Sequence, residues 1–183
     1  MLRIRSFKGL KRFLESKKGF TLIEIIMTMA IIGIVSAIAI PNFSKWREKH
    51  EIDGQAQKVY FDLMLARTAA VKSNNDVRVT FNLIANTYTI HEDSDNDGVV
   101  DAGENFKNAV LENNVQFAYN VGISDTDGNA VTSAASFGGA QVVVFDSRGQ
   151  ANSSGSVLLL HLSDIGITDD RARLISILQA TGG

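Results

Sequence analysis

Residues Phe20–Ile40 read FTLIEIIMTMAIIGIVSAIAI, twenty-one residues that carry one charge, Glu24. As an α-helix rising about 1.5 Å per residue, this run covers the ~30 Å hydrocarbon core of a bilayer. A helix apolar on all sides has no solvent face, so the run predicts a membrane-spanning segment. Seven basic groups precede it (Arg3, Arg5, Lys8, Lys11, Arg12, Lys17, Lys18) against one acid, Glu15. Positive charge stays on the cytoplasmic side, which sends everything after Pro41 across the membrane. A secretory signal peptide is the competing reading, because Ser36-Ala37-Ile38-Ala39 has the small-residue spacing of a cut after an apolar region. The helical pattern continues past that point without a break, which argues against a cut there.

Beyond residue 19, eleven basic residues face nineteen acidic ones, a net of −8. A basic head on an acidic body fits membrane orientation better than general nucleic-acid affinity. The chain has no cysteine, which excludes disulfides, thiolate zinc sites and a cysteine nucleophile. Within the spanning run Glu24 stands out. A carboxylate in hydrocarbon costs about 3 kcal/mol unless it is paired, so Glu24 either has a functional partner or reaches the interface one turn away. Pro41 closes the run as a kink or as a plain break at the membrane surface. Phe43 and Trp46 follow, suited to the interface or to neighbouring subunits.

Residues 42–72 keep a helical period. Ile52, Ala56, Val59, Leu63, Ala66 and Ala70 form one apolar stripe that predicts packing under a sheet. Polar residues including Asp53, Gln55, Lys58 and Asp62 fall mostly on the other faces. Ser73-Asn74-Asn75-Asp76 ends the helix. From Val77 the period becomes two, with strands expected at Val77–Leu83, Thr87–His91, Lys107–Leu111, Val115–Asn120, Gln141–Asp146, Ser156–Leu162 and Arg171–Leu178. Residues 121–140, rich in small and polar types, read as a long mobile loop. One long helix followed by about seven strands predicts an α+β fold on an antiparallel sheet.

The segment Lys17-Lys18-Gly19-Phe20-Thr21-Leu22-Ile23-Glu24 resembles the signature of type IV prepilins and type II secretion pseudopilins. Leu63–Asn75, Val142–Gly149 and the Arg-containing final strand from Arg171 resemble, more loosely, the GspH/FimT-type branch of pseudopilins and minor pilins. The resemblance implies a pilin-like fold and cleavage between Gly19 and Phe20 by a prepilin peptidase, with N-methylation of Phe20. It also implies assembly with other pilins or pseudopilins into a filament. Glu24 of one subunit then pairs with the Phe20 amine of a neighbour and sets the register, with Thr21 nearby and Pro41 marking helix that loosens on assembly. The expected organisation is a cytoplasmic leader at 1–19, removed, then a transmembrane helix at 20–41. An amphipathic helix at 42–75 and a β-rich periplasmic domain at 76–183 follow, anchored to a bacterial inner membrane. Three roles stay open: a minor pseudopilin driving protein export in a type II secretion system, a minor type IV pilin that primes pilus assembly, and a FimT-like DNA-binding subunit in natural transformation. For the last, Arg171 and Arg173 are the candidate contacts.

Asp93-Ser94-Asp95-Asn96-Asp97-Gly98-Val99-Val100-Asp101-Ala102-Gly103-Glu104 fits the twelve-position calcium loop of an EF-hand. In that pattern Asp93, Asp95 and Asp97 supply carboxylate oxygens and Gly98 allows the sharp turn. Val99 offers its carbonyl, Asp101 acts directly or through water, and Glu104 closes the site. The alternative is a solvated acidic hairpin tip. Strand-like flanks make this a borrowed structural loop rather than an EF-hand switch, with an expected Ca²⁺ affinity of about 10⁻⁴–10⁻³ M. His50, His91 and His161 are scattered, and no nucleophile, zinc or phosphate motif occurs, so no enzyme is expected.

Overall fold

The computed structural model describes residues 19–95, 97–99, 101–125, 128, 130–167 and 171–179. The leader expected before Gly19 lies outside the described residues. The chain divides into two compact units with the boundary between Ser44 and Lys45. Helix α1, Leu22–Ser73, passes through that boundary. In the first unit the large apolar side chains from Phe20 to Ile40 are exposed, and the helix is long and apolar enough to cross a membrane. The helix runs through Pro41, so the chain does not leave helical geometry there.

In the second unit α1 buries Ile52, Val59, Leu63, Ala66 and Ala70, the stripe read from the sequence, with Ala56 packed at its edge. Two residues expected on the polar faces are buried instead, Gln55 and Asp62. Asp62 has a physical reason to be there: it accepts a 2.6 Å hydrogen bond from Tyr88 Oη and pairs with Lys107 Nζ. The helix ends at Asn74, which takes a left-handed φ of 59°, a conformation asparagine tolerates at this position.

Among the described residues eight antiparallel strands follow: β1 (Asp76–Asn82), β2 (Thr87–Asp93), β3 (Asn105–Val110), β4 (Val115–Phe117), β5 (Ala135–Phe137), β6 (Val142–Phe145), β7 (Gly155–His161) and β8 (Arg173–Ile177). They form two sheets, not one. The first has the order β3-β2-β1-β6; in the second β7 pairs with β4, β5 and β8. The region read as a long loop, 121–140, contains β5, a strand the sequence reading missed. Its three residues, Ala-Ser-Phe, are too few to show a period, and β7 supplies the pairing that fixes them.

One core joins the helix to both sheets. Val77, Val79 and Phe81 point inward from β1, Tyr88 and Ile90 from β2, Val143 and Phe145 from β6, and Val157 and Leu159 from β7. Phe81 links the sheets: its ring lies 5.8 Å from Phe137 of β5 and 5.6 Å from Phe117 of β4. β7 is buried at five consecutive residues, as expected of a central strand covered on both faces. At its start, a Cβ on Gly155 would lie 2.2 Å from the Ser136 carbonyl oxygen, so only glycine lets β5 and β7 approach this closely.

Candidate functional site

The first candidate is the start of α1. Thr21 caps the helix: its Oγ1 accepts a 3.3 Å hydrogen bond from the Glu24 N–H, and its carbonyl accepts from Glu24 and Ile25. Thr21-Leu-Ile-Glu24 is the threonine-x-x-glutamate pattern that starts helices, and Glu24 lies in the first turn, where the helix dipole favours negative charge. Gly19 and Phe20 precede the helix and are exposed, so the peptide bond between them is accessible.

The second candidate is the acidic loop between β2 and β3. Carboxylate oxygens of Asp93, Asp95 and Asp97 lie within 4.8 Å of one another, and so do those of Asp95, Asp101 and Glu104. The loop therefore gathers all five acids predicted as ligands into two trios that share Asp95. Val99 contributes an N–H to the loop, 2.7 Å from Asp97 Oδ1. Asn96 and Val100 lie outside the described residues. Gly98 adopts φ +80°, and its N–H donates to Asp93 Oδ2 at 3.2 Å. A Cβ added at Gly98 would lie 3.4 Å from the Arg78 guanidinium carbon, and that guanidinium ion-pairs with the same Asp93 oxygen.

These contacts set the electrostatics. Burial works to raise the Asp93 carboxyl, but the Arg78 hydrogen bond and the Gly98 N–H outweigh it and hold the group below the usual carboxylate range. Glu104 is also held low, by the Ser94 hydroxyl first and then by the N–H groups of Asp101 and Ser94. Asp101 is pushed up, chiefly by the charge of Asp97, then by some desolvation and by the charges of Asp95 and Glu104. Like charges crowd here without full compensation.

An all-carboxylate donor set suits a hard divalent cation. Asp93 is fully buried, and its Oδ1 has no hydrogen-bond partner. A buried carboxylate oxygen left in that state is costly unless something positive meets it. The residues fit a calcium ion on these grounds. Arg78 and Ser94, absent from the EF-hand pattern, are the contributors that sequence reasoning missed; Arg78 is recognisable only once β1 and β2 pair and set it opposite His91.

The profile of the Type II transport protein GspH family matches residues 55–181, more than half of the chain. The chain belongs to that family. The prokaryotic N-terminal methylation motif matches residues 16–40 of this GspH-family chain. Among curated relatives, the Type IV major pilin protein PilA of Myxococcus xanthus is 55% identical over 38 residues, 21% of this chain and 17% of that protein. Fimbrial protein EcpB of Eikenella corrodens is 42% identical over 53 residues, 29% of this chain and 31% of that protein. The match thus spans less than a third of these relatives' length. Two structures of the minor pseudopilin EpsH from the type II secretion system of Vibrio cholerae are also similar. One is 14% identical with a TM-score of 0.46, over 72% of this chain and 99% of that one. The other is 15% identical with a TM-score of 0.43, over 70% and 97%.

GspH-family membership places the chain among pilin and pseudopilin subunits, which are structural proteins and not enzymes. In this GspH-family chain the two C-terminal arginines are occupied. Arg171 pairs with Glu48 at 2.6 Å and with Asp164, and Arg173 pairs with Asp53 at 2.6 Å. The Arg171 hydrogen bond holds the Glu48 carboxyl below its ordinary value. These contacts tie β8 and the turn before it to the first turns of α1 in the second unit.

Proposed function

We propose that this chain is a minor pseudopilin of a type II secretion system that assembles into a periplasm-spanning filament driving protein export. The observation that carries the reading is the match to the Type II transport protein GspH family over residues 55–181, which covers most of the second unit. Prepilin peptidase cuts between Gly19 and Phe20, and Phe20 is N-methylated; the methylation-motif match over residues 16–40 supports this. Residues 20–40 stay in the inner membrane, and the rest lies in the periplasm. On assembly the Glu24 carboxylate meets the Phe20 amine of a neighbour. In a low-dielectric bundle an unpaired charge is heavily penalised, so correct axial register is favoured. The pairing of Arg171 and Arg173 with acids leaves their charge largely spent, which weighs against a DNA-binding role. The loop at 93–104 binds Ca²⁺ through Asp93, Asp95, Asp97, Asp101, Glu104 and the Val99 carbonyl, and braces the β2–β3 hairpin.

Deletion of the gene tests the role: exported proteins retained in the periplasm with surface pili intact is the expected result, and loss of pili with normal export refutes it. Glu24→Ala in the intact system should abolish incorporation while leaving membrane insertion unchanged.

A further inference from the structure

The second unit carries an apolar patch that its own core does not use. Tyr119, Val121, Leu162, Ile165 and Ile167 are 41%, 87%, 52%, 40% and 56% exposed. They sit on two short segments, 119–121 and 162–167, that are locked together. Buried Asn120 donates to the carbonyls of Asp164 and Ile167 and accepts from the Gly166 N–H at 2.8 Å. The patch is a built platform, because three side-chain hydrogen bonds hold its apolar residues out toward solvent.

Its position in the unit is fixed by charge. Asp164 pairs with Arg171, which also pairs with Glu48, and His161 Nε2 lies 3.6 Å from Glu51 Oε2. Leu162 through Ile167 therefore lie level with residues 48–51, at the end of the second unit where the chain enters it. Glu48, Glu51 and Asp164 are acids at that end, and each has an arginine partner, Arg171 for Glu48 and Asp164 and Arg47 for Glu51 at 3.4 Å. Lys45, Arg47 and Lys49 are exposed there, as is Trp46, which stacks on His50. The chain reaches this end within a few residues of Ile40, the last residue of the spanning run.

We propose that this patch is a membrane-docking face. It rests on the surface of the same bilayer that holds residues 20–40, with Val121, Leu162, Ile165 and Ile167 in the headgroup–acyl boundary and Lys45 and Lys49 on anionic headgroups. The inference rests on the spanning assignment of that segment. Apolar side chains rimmed by cations and an aromatic are the composition of interfacial anchors. Docking keeps the folded domain pressed to the membrane as a monomer, and extraction into a filament releases it.

The chain has no native cysteine, so single spin labels report unambiguously. Labels are placed at Val121→Cys, Ile167→Cys, Ile32→Cys and Lys72→Cys in the full chain, reconstituted at one copy per nanodisc with anionic lipid. Lys72 lies in the last turn of α1, about 36 Å along the helix axis from Glu48. Expected is an oxygen-to-nickel accessibility ratio at 121 and 167 on the order of threefold above that at 72, shrinking in wholly zwitterionic discs and in high salt. Equal ratios at 121, 167 and 72, while position 32 reports acyl chains, overturn docking and leave the spanning assignment standing. Nickel access at position 32 sinks both. Shielding of 121 and 167 that develops only in discs holding several copies assigns the patch to a neighbouring subunit and also overturns the proposal.

Discussion

Asp62 is a helix residue whose replacement should cost the second unit much of its stability. It is 6% exposed, accepts the Tyr88 hydroxyl at 2.6 Å and pairs with Lys107. Asp62→Ala strands the Tyr88 hydroxyl in a core where that residue is 1% exposed. The unsatisfied group and the lost charge-assisted bond together cost about 2–3 kcal/mol. The Lys107 side chain is 34% exposed, so solvent screening limits its share to below about 1 kcal/mol. The sum is roughly 3 kcal/mol, a large fraction of a typical domain stability, or on the order of 9 °C in Tm. Tyr88→Phe removes the stranded group as well as the bond, so the double variant should recover about 1.5 kcal/mol of the summed losses. Denaturant titrations of the four chains in detergent micelles, followed by near-ultraviolet circular dichroism, give the cycle. A coupling below about 0.5 kcal/mol would falsify the claim that this buried pair helps to fasten α1 to β2.

Further outcomes follow from the same geometry. Tyr88 titrates above its ordinary value because of burial, then the Asp62 hydrogen bond and charge. The unfolded chain therefore loses this proton first, and above about pH 10 stability should fall by about 1.4 kcal/mol per pH unit from this group; a Tyr88→Phe chain that declines just as steeply contradicts this. Gly155→Ala drives a methyl to 2.2 Å from the Ser136 carbonyl and should cost roughly 1–3 kcal/mol by forcing β5 and β7 apart, seen as faster amide exchange across 135–137; unchanged exchange there refutes the close approach. Calcium titration by calorimetry should show one site of about 10⁻⁴–10⁻³ M, lost in Glu104→Gln and weakened in acid as Asp101, whose carboxyl is pushed up, takes a proton; no heat at several times that concentration sinks the metal reading.

Much of the fold was legible because its signals are local. The apolar run, the stripe from Ile52 to Ala70 and the alternation Val77-Val79-Phe81 are each a period imposed on neighbouring residues, and a period can be counted. Spacing alone likewise named all five acids of the 93–104 loop. What escaped is what long-range pairing creates: β5, too short to show a period, the split into two sheets, and Asp62 turned inward on a helix face that looks polar. Arg78 beside Asp93 belongs with these, since strand register and not chain proximity brings them together.

The amino-acid order by itself determined the apolar run at 20–40, the helical stripe after it and the alternation of the strands that follow, because hydrophobic transfer and backbone preference act residue by residue. Only the tertiary structure decided which charges are spent on each other. Arg171 and Arg173 are neutralised by Glu48, Asp164 and Asp53, whereas Asp93 keeps one buried oxygen without a partner. Electrostatic energy depends on distance in space, and chain separation says little about it until the fold has closed.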